Sequence, residues 1–328
     1  MIRISIGPSS SPVDDVILRY DAGAVDTDSP VPVVIDTDPG IDDALALLLA
    51  WGSPELAVEA VTTVAGNVGL DAGTANVLRL LALRRPAPAP RVAAGAEAPL
   101  SRPLRTAVRY HGADGLGDLG DWPPVSAPPA SEPAAALIAA AARRHGRRLV
   151  VVALGPLTNL ALAAEADPGA LRRVGRIVAM GGAVDVAGNV TPEAEFNAHV
   201  DPEALARVLA AGAPVDLVPL DATRQATLRR DVLEAALARR PGPVAERVLA
   251  FTRRAFRLDG GAMHLHDPLA VALAVDPSLA DWENARLEVG PDGATRRAPG
   301  VPNCRVAGRV ERERFLSLFL ERLCPASS

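Results

Sequence analysis

The sequence predicts an α/β fold, a mostly parallel Rossmann-like sheet flanked by helices with its functional site at the carboxyl ends of the strands. Three observations carry that expectation. Short β-branched runs alternate with Ala/Leu-rich stretches of helical length, the pattern of a buried sheet covered on both faces. The 328 residues suffice for a large core, and 49% are apolar while only 3% are aromatic, so that core should consist of Ala, Val and Leu. The polar outliers, finally, fall just after the expected strands, where open α/β sheets bind ligands.

In chain order, residues 1–29 are rich in Ser, Pro, Asp and Gly without a helical period and read as an irregular N-terminal arm, leaving 30–328 as one domain. Residues 31–35 predict a strand. Residues 41–51 predict a helix opened by two aspartates, which suit its positive end. The alternation continues with a strand at 56–64 and a helix at 71–84, then a strand at 148–153 and a helix at 157–166. A strand at 176–180 and a helix at 202–211 follow. An apolar helix is expected at 268–275 and a closing amphipathic one at 311–323. The long gaps 95–129 and 181–200 read as functional loops, and the Pro-rich pieces 86–90 and 122–129 as stiff surface connections. No internal repeat is visible.

Bulk chemistry narrows the function. A net charge of −5 opposes a nucleic-acid backbone as partner. All 34 basic residues are arginine, and lysine is absent. Cys304 and Cys324 form neither a C-x-x-C nor a disulfide-rich pattern, which fits a reducing compartment. The N-terminus lacks a secretory apolar region and no apolar run is long enough for a bilayer, so a cytoplasmic protein without a membrane partner is expected.

The densest chemical signal is Asp36-Thr37-Asp38-Pro39-Gly40-Ile41-Asp42-Asp43, at the junction of the first strand and helix. Its aspartates repel one another unless a cation or substrate hydroxyls share them, and a hard divalent ion is the simplest remedy. Helix capping accounts for one or two of them, not for Asp36 and Asp38. Asn67 follows the second strand, Leu154-Gly155-Pro156-Leu157-Thr158-Asn159 the next, and Gly181-Gly182 follow Met180. Asn189, Glu195 and Asn197 form a polar cluster, and His266-Asp267 stand before the helix at 268–275.

Together these residues resemble the inosine-uridine preferring nucleoside hydrolase family. The resemblance runs through Val33-Val34-Ile35-Asp36-Thr37-Asp38-Pro39-Gly40-Ile41-Asp42-Asp43, Ala65-Gly66-Asn67, His111-Gly112-x-x-Gly115-Leu116, the Leu154–Asn159 run, Met180-Gly181-Gly182, Gly188-Asn189, Glu195-Phe196-Asn197 and His266-Asp267-Pro268-Leu269. It implies calcium (Ca2+) held by the side chains of Asp38, Asp43 and Asp267 and by the backbone carbonyl of Leu154, with a bound water as nucleophile and Asp38 as its general base. Attack at C1′ of a ribonucleoside through an oxocarbenium-like transition state is the implied reaction, giving free base and ribose. The ribose hydroxyls are assigned to Asp42, Asn67, Asn189, Glu195, Asn197 and Asp267, with Met180 beneath the sugar and Asp36 orienting the loop from behind. His266 is the implied acid for the departing base, since histidine can hold a proton near neutral pH, with helix capping as its plain alternative. His111 is a base contact or a solvated loop residue; His264, His145 and His199 carry weaker signals. The resemblance further implies a homodimer or homotetramer.

Three features depart from the family pattern: the longer N-terminal arm, one extra residue between Met180-Gly181-Gly182 and Asn189, and Phe, Arg and Leu within 251–263 where base-contacting aromatics are expected. Two rival readings compete. An aspartate-nucleophile magnesium phosphohydrolase shares the strand-end Asp36-x-Asp38, but needs a basic residue for phosphate, most often lysine, and Asp42-Asp43 would repel its substrate. A non-catalytic nucleoside- or ribose-binding protein would retain the pocket without needing a base beside water.

Overall fold

The computed structural model describes residues 29–123, 125 and 128–324; most of the expected arm, 1–28, lies outside the described residues. Strand β1 (Val31–Thr37) runs parallel between β2 (Leu56–Thr63) and β4 (Val150–Ala153). With β3 (Arg91–Ala94), β5 (Arg176–Met180) and β6 (Val215–Val218), the sheet takes the order β3-β2-β1-β4-β5-β6, followed by strand Cys304–Val310 and, antiparallel at the edge, strand Ala280–Ala285. The chain thus builds outward from β1 on one side through β3, then returns to β4 on the other. That reversal puts a topological switch point between β1 and β4, where loops leaving adjacent strands splay apart and open a crevice.

Alternation within the strands divides the core in two. Val33 and Ile35 of β1 join one apolar cluster, with helix α1 (Ile41–Trp51) and helices Pro243–Leu258, His266–Val275 and Arg312–Leu323. Val34 joins the other, with helices Ala134–His145, Thr158–Ala166 and Pro202–Ala210. Helix α1 and helix His266–Val275 pack against each other, and every side chain from Ile41 to Ala50 is buried. A helix apolar all round belongs in an interior. Its N-terminus is thereby carried into the protein rather than to the surface, a placement that decides the chemistry.

Several expectations shift. β1 continues two residues past the predicted end, to Thr37, because parallel pairing with β2 extends through Asp36 and Thr37. Residues 146–148 form a 3-10 turn, so β4 begins at Val150. The helix expected from residue 268 starts at His266, with Pro268 in the first turn, where a missing N–H costs nothing. Within 95–129 the chain forms a short helix, Val108–His111, and within 181–200 another, Phe196–Val200.

Candidate active site

Two helix N-termini meet above the β1/β4 switch point. Helix α1 brings Asp42 and Asp43 in its first turn, and helix His266–Val275 brings Asp267 in its own. Each N-terminus carries partial positive charge, which favours carboxylates there by up to about 1 kcal/mol apiece. Asp42, Asp43 and Asp267 each offer a carboxylate oxygen, all within 4.8 Å of one another. Asp38, fully buried on the turn between β1 and α1, adds its charge to the same space, since it repels Asp267 and is repelled by Asp43 and Asp42.

These acids are held from behind. Asp43 accepts from the Thr37 hydroxyl (2.5 Å) on Oδ1 and from Gly40 N–H (2.9 Å) and Asn67 Nδ2 (3.0 Å) on Oδ2. Asp38 Oδ2 accepts from Asn67 N–H at 2.7 Å, while its Oδ1 is buried with no hydrogen-bond partner. Gly66 and Gly155 flank this carboxylate: a Cβ on Gly66 would lie 2.1 Å from Oδ2, and one on Gly155 2.7 Å from Oδ1. Among the described residues no arginine forms an ion pair with Asp38, Asp42, Asp43 or Asp267.

Protonation follows from this crowding. Burial, then repulsion from Asp43, holds the Asp38 carboxyl well above the usual range. Burial and Asp43 push Asp42 up to about 8, and burial with Asp42, Asp43 and Asp38 pushes Asp267 far up. Buried carboxylates that cannot share a cation keep protons instead. Asp36 turns the other way: its Oδ1 accepts from the Thr62 hydroxyl (2.5 Å) and Asn159 Nδ2 (2.8 Å), and burial raises it to about 7. Its backbone carbonyl accepts from Leu154 N–H at 2.7 Å, tying the ends of β1 and β4 together.

The remaining expected residues divide. Met180, Glu195 and Asn197 are buried beside the Leu154 carbonyl, where Asn197 Nδ2 donates to Leu154 O (2.6 Å) and approaches Met180 O (3.3 Å). Glu195 caps helix Phe196–Val200, accepting from Asn197 and Ala198 N–H, and also takes Gly182 N–H at 2.9 Å. His111 is buried against Gly40 and its Nδ1 accepts from Ile41 N–H at 3.0 Å. Burial lowers its pKa to about 4. His266 is partly buried with Nδ1 2.7 Å from the Thr223 hydroxyl; burial, His264 and Arg224 lower its pKa to about 3. Burial and these neighbours thus disfavour the charged form of the imidazole. Asn189 is exposed on its loop, its backbone N–H donating to Ala194 O. His145 pairs with Glu59, His199 Nδ1 lies 2.8 Å from Asp292 O, and half-buried His264 lies 3.3 Å from Thr227 Oγ1.

Sequence reasoning missed the residues that hold the acids, Thr37, Thr62 and Gly155 as a spacer, and Thr223 beside His266. Asn159 and Gly66 stood inside quoted motifs without a role. The long loop also proves anchored, because Arg254 donates to the carbonyls of Tyr110 and Arg109 and to Asp118.

Residues 33–317 match the family described as inosine-uridine preferring nucleoside hydrolase. The chain is 36% identical over 308 residues to the pyrimidine-specific ribonucleoside hydrolase RihA of Salmonella schwarzengrund, a match covering 89% of this chain and 98% of that protein. Among solved structures, a plant nucleoside hydrolase, PpNRh1, superposes with a TM-score of 0.84 at 36% identity, covering 90% of this chain and 99% of the other. A purine-preferring ribonucleoside hydrolase from Gardnerella vaginalis gives 0.83 at 30% identity, covering 89% and 98%.

Proposed function

The chain belongs to the inosine-uridine preferring nucleoside hydrolase family, and from that premise we propose that it cleaves ribonucleosides to base and ribose with Asp38 as general base and His266 as donor to the departing base. Hydrolysis of nucleosides is the reaction of its relatives by name, which sets aside the phosphohydrolase reading. One observation carries the assignment of the site: Asp42, Asp43 and Asp267 converge from α1 and helix His266–Val275, and on the adjoining turn the buried Oδ1 of Asp38 has no hydrogen-bond partner.

The donor set suits calcium. Carboxylates of Asp38, Asp43 and Asp267 and the Leu154 carbonyl are hard oxygens, and Ca²⁺ accepts such irregular sets. The Leu154 carbonyl keeps a second lone pair beyond its bond from Asn197. Bound there, the ion supplies Lewis acidity that eases removal of a proton from water. Asp38 takes that proton as the water oxygen bonds to C1′ and the C1′–N bond breaks. Asp42 and Asp267 stand near positive charge developing on the ribose ring. His266 offers Nε2 to the leaving base, and His111, whose Nδ1 is engaged by Ile41 N–H, offers its Nε2 as a second base contact.

For the sugar we assign Asp42, Asn67, Asn189, Glu195, Asn197 and Asp267, over Met180. Burial of most of this set supports the reading, because a deoxyriboside would leave polar groups without a partner. Asp36 serves as a strut rather than a ligand, supported by its bonds to Thr62 and Asn159. The proposal extends to residues 30–328 as one catalytic domain, to a cytoplasmic enzyme of base salvage, and to a homodimer or homotetramer. Among the described residues no helix is long and apolar enough to cross a membrane.

A panel of ribonucleosides assayed for reducing sugar and free base tests the reading. Equimolar ribose and base, independent of phosphate and lost on chelation, are expected. Tight nucleoside binding with no ribose over hours would replace hydrolysis with a binding role, and ribose 1-phosphate as product would make the protein a phosphorylase.

A further inference from the structure

A short turn distant in sequence from the acids touches both the sugar loop and the leaving-group histidine. Residues 220–225, just beyond β6, include the helical turn Leu220–Thr223. Leu220 N–H donates to Gly182 O at 2.9 Å. Asp221 accepts the N–H groups of Val184 (2.9 Å) and Asp185 (2.8 Å) on its two carboxylate oxygens, and Arg224 donates to Gly188 O at 2.9 Å. Those contacts span the loop that leaves β5 and carries Asn189. On the same turn, Thr223 is fully buried and its hydroxyl lies 2.7 Å from His266 Nδ1. Gln225 fixes the whole turn to the sheet, donating to Gly308 O (3.0 Å) and accepting from Val310 N–H (3.1 Å).

From this geometry we infer that residues 220–225 act as a bracket, with Thr223 the positioning residue that sets which nitrogen of His266 faces the substrate and Asp221 the one that holds the ribose loop. The inference rests on His266 serving the departing base. An imidazole has two nitrogens and its ring can turn about its bond to Cβ. Thr223 engages Nδ1, leaving Nε2 as the ring nitrogen available to a ligand. When the hydroxyl donates to Nδ1, Nε2 bears the hydrogen, the tautomer needed to donate to a base nitrogen or oxygen. Without the hydroxyl, both tautomers and both ring orientations compete, and Nδ1 is left without its partner. Asp221 acts on a different step. Its two acceptors order consecutive backbone amides at the root of the loop, so losing them loosens sugar binding whatever the leaving group. Because both residues sit on one turn, ribose and base are gripped in a fixed mutual relation, which is what near-attack geometry requires.

The test uses leaving groups that differ in their need for a proton. Uridine and inosine depart with help, whereas p-nitrophenyl β-ribofuranoside releases a phenolate that needs none. Thr223→Val, which keeps shape and removes the hydroxyl, is expected to lower kcat about tenfold on the nucleosides, the size of one lost hydrogen bond, and less than twofold on the phenyl riboside. Thr223→Ser should restore the nucleoside rate. Asp221→Ala should raise KM severalfold on all three substrates with kcat less affected. Equal losses on both substrate types in Thr223→Val, or none, would overturn the bracket. His266→Ala separates the premise from the inference: if it loses nucleoside activity while Thr223→Val does not, the bracket alone fails. If His266→Ala keeps full nucleoside activity, the assignment of His266 falls and the role of Thr223 falls with it.

Discussion

Replacing Gly66 with alanine adds one methyl group beside the central carboxylate, and the structure sets the size of the consequence. The new Cβ would lie 2.1 Å from Asp38 Oδ2, 2.8 Å from Asp38 Cγ and 2.9 Å from Pro156 Cδ. Gly66 does not have a left-handed backbone, so the conflict is between side chains alone. Relief requires the carboxylate to retreat by about 1 Å, toward ordinary non-bonded separation. Retreat is blocked on the other side, where Gly155 approaches Oδ1 closely enough that its own Cβ would sit at 2.7 Å. The movement also breaks the 2.7 Å bond from Asn67 N–H. A misplacement of this size typically costs about a hundredfold in rate, near 2.7 kcal/mol of transition-state stabilisation. Initial rates of ribose release from uridine and inosine at saturating calcium measure it, with calcium affinity by calorimetry alongside. Gly69→Ala is the control, since a Cβ there meets nothing within 4 Å, and it should retain activity. Gly66→Ala with wild-type kcat/KM and calcium affinity would refute the idea that Asp38 is held by a steric cradle.

Further outcomes follow from the electrostatics and the loop anchors. Asp36 and Asp42 are raised to about 7 and about 8 from an unfolded value of 3.8, and Asp38 and Asp267 are raised as well. Protonation therefore favours the calcium-free native state below about pH 4, and that stability drains away as pH rises toward about 8. Calcium needs the ionised forms, so thermal melts should show a larger calcium-induced rise in Tm at pH 8 than at pH 5; equal rises would contradict the coupling. Arg254→Met removes the three bonds that hold the His111 loop and should raise KM for nucleosides about five- to tenfold with a smaller change in kcat, as steady-state kinetics will read. His266→Ala should slow purine and pyrimidine nucleosides unequally, because their leaving groups differ in basicity; identical losses across the panel would argue against its acting on the base.

The acids were legible in the sequence because their density at a strand-to-helix junction has no structural excuse, and α1 emerged with its predicted bounds. The parallel sheet was legible for the same reason that β1, β4 and β5 are short β-branched runs. Strand Cys304–Val310 was not, since Arg305, Gly308 and Arg309 interrupt its pattern and its place is fixed by pairing with β6 and Ala280–Ala285. Helix Ala134–His145 hides in an alanine-rich stretch with little apolar contrast. Within the site, sequence identified residues by chemical type but not by what they spend their hydrogen bonds on. Glu195, expected at the sugar, also caps a helix, and Asn197 also donates to the Leu154 carbonyl, contacts that no local pattern announces. Thr223 offered no local signal, because its meaning comes from a histidine 43 residues away. Such roles arise from long-range packing.

Ribose release by Asp38→Asn at saturating calcium bears most directly on the mechanism. The amide is nearly isosteric and cannot accept a proton from water, so turnover is expected to fall at least about a hundredfold while nucleoside binding persists. Asp38→Asn that releases ribose as fast as the unaltered protein would show that another group activates the water.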